Sequence, residues 1–217
     1  MRILLAIQSC HRDRGCHEQI RDTWMGLNNG AIDIKFFLGN PKGEAAADEI
    51  FLDVPDDLHS LSLKTLGMIV WTLEHGYDHS FKGDTDTYIC IPRLLASGFE
   101  KHDYSGCVQG LDQGRIDAVY GGTGYWLSRR AMEAVVRGKE SKVAAGYTED
   151  WWVCQILVPV GIIPFNDPRY RIITTLIGPQ PNNDTITCHN AARFPQINLR
   201  DKTNLYAMHE KAKGIQS

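Results

Sequence analysis

Two aspartates stand one residue apart in the stretch FKGDTDTYIC, which runs from Phe81 to Cys90. Carboxylates with this spacing can hold a divalent metal ion, and one of them can also act as a nucleophile that accepts a phosphoryl group. Asp84 and Asp86 are equally compatible with an ordinary turn, because aspartate favours turns through hydrogen bonds to nearby backbone. The surrounding elements must decide between these three interpretations.

A further acidic residue that could do chemistry, Asp150, lies in the stretch GYTEDWWVCQILVPVG. The spacing of the apolar residues predicts a helix there, with Thr148 as its N-cap and Asp150 in its first turn. The helix dipole alone favours a carboxylate at this position, so a purely structural role also fits. The neighbouring Trp151 and Trp152 suit either the core or a face for a sugar ring.

Other polar or flexible residues near these stretches also have two interpretations each. Lys82 precedes the aspartates, where its ammonium either reaches a bound phosphate or extends into solvent. Gly121 and Gly122 either let backbone approach a ligand or bend a strand. The histidines other than His189 show no metal-like spacing and are predicted at the surface or at helix ends.

Strand-like and helix-like stretches alternate along the chain. Strands are predicted at 3–7, 32–39, 49–54 and 79–83, and an apolar stripe predicts a helix from Leu58 to Gly76. This alternation indicates an α/β fold with a mainly parallel sheet flanked by helices. Ligands of such sheets bind beyond the carboxyl ends of the strands, which is where Asp84 and Asp86 would lie. The pattern therefore favours a ligand site over a simple turn.

The overall composition is that of an ordinary globular protein. The chain has 217 residues, 43% hydrophobic and 23% charged, which suits a single domain over residues 1–217. A formal net charge of −3 and the absence of a basic run argue against nucleic acid as a partner. The apolar run at the N-terminus is too short for a membrane span or a signal-peptide core. The six cysteines show no zinc spacing, and both disulfides and scattered buried thiols remain open.

Several stretches, in order, resemble one enzyme family. They are IRDTW (20–24), FFLGN (36–40), LSLKTL (61–66), FKGDTDTYI (81–89), GGTGYWLSRRAM (121–132) and EDWWV (149–153). The chain is similar in these stretches to the inverting β1,3-glycosyltransferases, which include β1,3-galactosyltransferases, β1,3-N-acetylglucosaminyltransferases and Fringe. The resemblance implies a GT-A fold, a nucleotide-binding α/β sheet in which an acidic motif holds Mn²⁺ against the donor diphosphate.

The resemblance also implies roles for individual residues. Asp84 and Asp86 match the acids that bind the metal, and His189 matches a late histidine that completes the site, so Mn²⁺ or Mg²⁺ is the expected cofactor. Asp150 matches the catalytic base that deprotonates the acceptor hydroxyl. Of the residues expected to contact the donor nucleotide, the resemblance implies Arg21, Asp84 and Thr85, whereas Ser9, Lys82 and Gly122 are expected there from their positions in the sequence.

Two departures from the family pattern bear on these expectations. Thr85 stands where the family often has a further aspartate that tends to face the ribose, which weakens the expected nucleotide contacts there. The stem and membrane anchor of the animal enzymes have no counterpart in the sequence. We therefore expect a cytoplasmic microbial or viral enzyme that contacts a membrane surface peripherally, or, if an anchor has been removed, a domain of the Golgi lumen.

The resulting functional hypothesis is a metal-dependent inverting glycosyltransferase. It would move galactose or an N-acetylhexosamine from a UDP-sugar to a glycan or glycolipid hydroxyl in β1,3 linkage. A non-catalytic module that binds sugar nucleotides or glycans is the alternative. The stretch DTDT also fits haloacid-dehalogenase-type phosphohydrolases, but that fold places the motif on its first strand with an acidic pair downstream. Here the motif lies mid-chain and the pair Asp56-Asp57 lies upstream.

Overall fold

The computed structural model of this chain describes residues 1–109, 118–139, 148–173 and 182–190, together with positions 205 and 209. The described strands are β1 (Ile3–Gln8), β2 (Asp33–Gly39), β3 (Glu49–Leu52), β4 (His79–Asp84), β5 (Thr87–Ile89), β6 (Tyr104–Gly106), β7 (Val108–Gln109), β8 (Ala118–Val119), β9 (Tyr125–Ser128), β10 (Phe165–Asn166), β11 (Tyr170–Ile173) and β12 (Thr187–Asn190). The described α-helices are α1 (Arg14–Asp22), α2 (Leu61–Glu74), α3 (Ile91–Leu95), α4 (Arg129–Gly138) and α5 (Glu149–Leu157).

Seven of these strands form the main sheet, in the order β10-β6-β9-β4-β1-β2-β3. Strand β1 runs parallel to both of its neighbours, β2 and β4, and β2 runs parallel to β3. Strand β9 is antiparallel to β4 and β6. The prediction of an α/β fold with a mainly parallel sheet is confirmed. Because parallel neighbours end at the same edge, β1 and β4 bring Gln8 and Asp84 opposite each other in register.

The first strand is buried on both faces, as its continuous apolar run predicts. Leu5 and Ile7 pack in one core cluster, while Leu4 and Ala6 pack in another on the opposite face. Side chains alternate between the two faces of a strand, so a strand covered on both sides must be apolar at every position.

Helix α2 differs in part from the predicted apolar stripe. It begins at Leu61, after a 3-10 turn in which the Asp57 side chain accepts a hydrogen bond from the Ser60 amide. Leu58, predicted on the buried stripe, lies in that turn with 76% of its surface exposed. Lys64, in contrast, is buried at 2% exposure because its ammonium reaches Asp56. The helix ends at Glu74, and Gly76 follows with a φ of 75°.

A second, three-stranded sheet has the order β11-β12-β5. It matters for the site because β12 is antiparallel to β5 and sets His189 opposite Thr87. Within the residues that the structure describes, no helix combines the length and apolar character that crossing a membrane requires. All six cysteines are among the described residues, and no disulfide joins any two of them.

Candidate active site

A cavity of about 490 Å³ opens at the carboxyl ends of β1 and β4. Its walls come from those strand ends, the turn before α1, the loop after β3, the start of α2 and the first turn of α5. The lining residues are Gln8, Ser9, Cys10, Arg12, Asp13, Asp56, Asp57, Leu58, Leu61, Lys64, Lys82, Asp84, Thr85, Asp86 and Glu149. The cavity therefore lies where a parallel sheet is expected to bind its ligand.

The two aspartates of the DTD stretch both line this cavity. Asp84 is the last residue of β4, and Thr85 and Asp86 form the turn into β5. Burial raises the pKa of Asp84, Lys82 opposes that rise, and the charge of Asp86 adds to it. The turn interpretation and the ligand-site interpretation are thus compatible, because a tight turn is what presents both carboxylates to the cavity.

His189 lies beside Asp86, although the two residues are far apart in the sequence. The His189 Nδ1 atom is 3.3 Å from the Asp86 Oδ1 atom and 3.3 Å from the Thr87 hydroxyl oxygen. Gly122 permits this approach, since a Cβ atom there would lie 2.8 Å from His189 Nε2. The carbonyl of Gly122 also accepts a hydrogen bond from Thr87. Gly122 itself does not line the described cavity.

The predicted metal ligands supply a suitable chemical set. Two carboxylates and one imidazole match the preferences of Mn²⁺; Asp84 and Asp86 flank the turn between β4 and β5, and His189 on β12 lies beside Asp86. In the part of the chain that the structure describes, however, no three His, Cys, Asp or Glu side chains converge as around a bound ion. Asp84 is turned towards Lys82 instead, since its Oδ1 atom is 2.7 Å from the ammonium of Lys82.

Lys82 is a buried cation between two carboxylates. Its Nζ atom lies 2.7 Å from Asp84 Oδ1 and 2.7 Å from Glu149 Oε1. Burial acts to lower the pKa of Lys82, but Asp84 and Glu149 outweigh it and raise the pKa. The alternative of a solvated strand-end lysine is therefore wrong. Lys82 is only 5% exposed, although it still lines the cavity.

The acidic pair at the start of α5 divides between two environments. Glu149 lines the cavity, and burial raises its pKa while Lys82 opposes the rise. Asp150 is half-buried and is not among the residues of the cavity wall. Its two carboxylate oxygens accept hydrogen bonds from the amides of Gly121, at 2.8 Å, and Trp151, at 2.7 Å. Asp150 was predicted as a site residue from the sequence, whereas Glu149 was not, because its place beside Asp150 was its only signal.

Ser9 lines the cavity, as its position after β1 predicts. Its hydroxyl oxygen lies 2.7 Å from His17 Nε2, and His17 Nδ1 lies 2.8 Å from Glu49 Oε1. The prediction that His17 lies at the surface or at a helix end is wrong, since its exposure is 0% and it lies within α1. The sequence does not reveal this chain of contacts, because its members are eight and 32 positions apart and meet only once α1 has folded over the sheet.

Arg21 is not brought to the cavity. It stands near the end of α1, and its guanidinium donates two hydrogen bonds to Asp48, at 2.7 and 2.8 Å. The cationic groups that do line the cavity, besides Lys82, are Arg12 and Lys64. Thr85 lines the cavity as predicted, and Trp152 is buried in the core, whereas Trp151 is half-buried.

Comparisons with known proteins agree with this architecture. No family model and no curated protein matches the chain. Among solved structures, the chain is similar to a glycosyltransferase involved in the glycosylation of the major capsid of PBCV-1, with a TM-score of 0.59 and 10% identity. The similarity covers 97% of this chain and 100% of the other. At this identity it concerns the fold, and the fold of this chain is that of a glycosyltransferase.

Proposed function

We propose that the protein is an inverting glycosyltransferase that moves galactose or an N-acetylhexosamine from a UDP-sugar to a hydroxyl of a glycan or glycolipid, in β1,3 linkage. The observation that carries this proposal is the DTD turn. It presents two carboxylates to a cavity of about 490 Å³ at the carboxyl edge of the sheet, in a chain with a glycosyltransferase fold.

The acidic turn and its neighbours suit the leaving group of such a reaction. Departure of a nucleoside diphosphate leaves negative charge on phosphate oxygens, which a divalent cation stabilises without proton transfer. Asp84, Asp86 and His189 are the residues that would hold Mn²⁺ or Mg²⁺. The cations Arg12 and Lys64 line the same cavity and add positive charge for the diphosphate.

Of the two acids in α5, we propose Asp150 as the base. Inverting displacement needs the base and the leaving group on opposite faces of the anomeric carbon. Glu149 shares the ammonium of Lys82 with Asp84, so it lies on the side of the proposed diphosphate site. Asp150 is oriented separately by the amide of Gly121, outside that ion-paired cluster. Glu149 is then a positioning residue that holds Lys82 in place.

The decisive experiment is release of UDP from a panel of UDP-sugars, with oligosaccharide acceptors, in the presence of Mn²⁺ or EDTA. We expect turnover that requires a donor, an acceptor and the metal. Asp84→Ala and Asp86→Ala should abolish it, and His189→Ala should raise the Mn²⁺ concentration needed, since one ligand of several is lost. Asp53→Ala, an exposed acid outside the cavity, is the matched control.

The possible failures of this experiment are distinct. Transfer that survives EDTA unchanged would contradict the metal assignment while leaving the transferase assignment intact. Binding of UDP without turnover, across the whole panel, would favour the non-catalytic module. Absence of both binding and turnover would reject the proposed substrate class.

A further inference from the structure

Three buried polar side chains form a continuous hydrogen-bonded chain that ends at the cavity. The Ser9 hydroxyl lies 2.7 Å from His17 Nε2, and His17 Nδ1 lies 2.8 Å from Glu49 Oε1. Exposure is 5% for Ser9, 0% for His17 and 6% for Glu49. Of the three, only Ser9 lines the cavity. We call these residues the Ser9 relay.

The outer end of the relay is held in one charge state and one position. Burial acts to raise the pKa of Glu49, but hydrogen bonds from Arg14, the Ala46 amide and His17 bring it down to about 2. Glu49 is therefore a carboxylate that can only accept hydrogen bonds. Arg14 donates through both Nε and Nη2, so the carboxylate cannot easily turn away from His17.

The middle of the relay has one consistent tautomer. Burial lowers the pKa of His17, so its ring is neutral and carries a single proton. Because Glu49 can only accept, that proton is on Nδ1, and Nε2 keeps its lone pair. The ring stacks on Phe36, with a centroid distance of 3.9 Å, which fixes its plane.

The direction of the last hydrogen bond follows. Since Nε2 has a lone pair, the Ser9 hydroxyl donates its only proton to His17. The carbonyl of Cys10, at 3.4 Å, is a much longer alternative acceptor. The lone pairs of the Ser9 oxygen are then what remains for a ligand. Ser9 accepts hydrogen bonds from the cavity and does not donate them.

We propose that the Ser9 relay selects the base of the donor nucleotide, by requiring a hydrogen-bond donor on the ring edge that meets Ser9. Uracil presents an N–H at ring position 3, whereas cytosine presents a lone pair there. A phosphate offers no donor at neutral pH and is excluded as the partner of Ser9. The apolar side chains of Leu58 and Leu61 line the same cavity and suit a flat base. This inference rests on the proposed function, because it takes a sugar nucleotide as the ligand.

The test compares UDP and CDP by isothermal titration calorimetry. The two share ribose and diphosphate, so a difference reports the base alone. We expect wild-type protein to bind UDP about tenfold or more tightly than CDP, because two facing acceptors leave a buried group unpaired. Ser9→Ala should bring the two affinities to within about threefold by weakening UDP. Ser105→Ala, a buried serine of β6 outside the cavity, should leave the ratio unchanged.

A second variant tests the direction of the relay. In Glu49→Gln, the amide oxygen is expected to face Ala46 and Arg14 Nη2, because the Nη2 contact is the shorter of the two from Arg14, and the longer one, 3.1 Å from Nε, is given up. The amide nitrogen then faces His17 and moves the ring proton to Nε2. Ser9 would become a donor to the cavity, and the UDP:CDP affinity ratio should fall below that of Ser9→Ala. A thermal melt establishes that this variant is folded. Independently, 3-methyl-UDP, which lacks the N–H at ring position 3, tests the wild-type protein.

Four outcomes would overturn the inference. Equal affinity of wild type for UDP and CDP would do so, as would a ratio that survives Ser9→Ala, and in both cases the proposed function would stand. Covalent labelling of Ser9 by a fluorophosphonate would show instead that the relay activates a nucleophile. Failure to bind either nucleotide would reject the proposed function itself, and with it this inference.

Discussion

Lys82 shows how one buried charge organises an acidic site. Asp84 and Glu149 both lie 2.7 Å from its ammonium, and burial raises the pKa of each carboxyl. Without the ammonium, the two carboxylates would face each other with little solvent, an arrangement that proteins avoid by taking up protons. The position of Glu149 therefore depends on Lys82 as much as on α5.

Replacement of Lys82 by Met should destabilise the protein by about 3–5 kcal/mol, because it leaves the buried Glu149, beside the half-buried Asp84, without a counter-charge. Urea unfolding at neutral pH measures this, and Lys101→Met, an exposed lysine, is the control. The loss should shrink at lower pH, where Asp84 and Glu149 can take up protons. A Lys82→Met protein as stable as the control variant would show that the ion pairs contribute little.

Asp150→Asn should lower the rate of transfer by about 10²–10⁴-fold, since it removes the proton acceptor and keeps the shape. Its carboxylate oxygens accept bonds from the amides of Gly121 and Trp151, and the asparagine oxygen can keep one of them. Binding of UDP and Mn²⁺ should be largely preserved. Single-turnover kinetics and calorimetry separate the two effects. The Glu149→Gln variant is measured beside Asp150→Asn for comparison. A near-normal rate of sugar transfer by Asp150→Asn would show that another residue is the base.

At the scale of the elements, the 3-10 turn Gly121–Thr123 connects the separate parts of the site. A Cβ atom on Gly121 would meet Glu149 and Asp150 at the start of α5, and a Cβ atom on Gly122 would meet His189 on β12. A side chain at either position would occupy space that these functional residues already fill. The paired glycines therefore serve close packing between elements, and Gly122 supports the site without lining the described cavity.

Gly122→Ala should therefore destabilise the protein and displace His189. A Cβ atom there would lie 2.7 Å from the Tyr120 ring and 2.8 Å from His189 Nε2, closer than packed atoms allow. We expect a loss of about 1–3 kcal/mol, together with weaker Mn²⁺ binding. Gly15→Ala is a matched control, because nothing lies within 4 Å of its added methyl group in α1. In a helix that change should stabilise by up to about 1 kcal/mol. Equal stability of the two variants would contradict this account.

At the scale of the whole molecule, His17 couples stability to pH. Burial lowers the pKa of His17 in the folded protein, whereas the unfolded chain takes up a proton below about pH 6.5. The unfolded state then binds more protons, so stability falls as the pH falls, by at most about 1.4 kcal/mol per pH unit. The contribution of Glu49 has the same sign but begins lower, between its ordinary pKa of 4.5 and about 2.

As the pH is lowered from about 7 to about 5, the free energy of unfolding should thus fall more steeply in wild type than in His17→Gln. Urea titrations of both proteins across this range give the two slopes, and their difference cancels the other titrating groups. Parallel slopes would show that the folded and unfolded states protonate His17 over the same pH range, which would contradict a pKa lowered by burial.

The sequence by itself determined the features that depend on local pattern. The apolar run of β1, the alternation of strands and helices, and the end of β4 at the DTD stretch follow from side-chain periodicity and turn preference, and the α/β fold is confirmed. Asp84, Asp86, Lys82 and Ser9 were identified for the same reason, because each stands at a strand end that a parallel sheet places at its ligand-binding edge, whereas Thr85 was expected from the family resemblance.

Only the tertiary structure decided which distant groups meet. Thr87 and His189 are 102 residues apart in the chain, and their contact depends on pairing between β5 and β12. The Ser9 relay depends on α1 packing over the sheet. Arg21 lies on the same helix but turns to Asp48 and away from the cavity. Neighbouring residues of a helix point about 100° apart, so the rotation of α5 against the sheet places Glu149, and not Asp150, on the cavity wall.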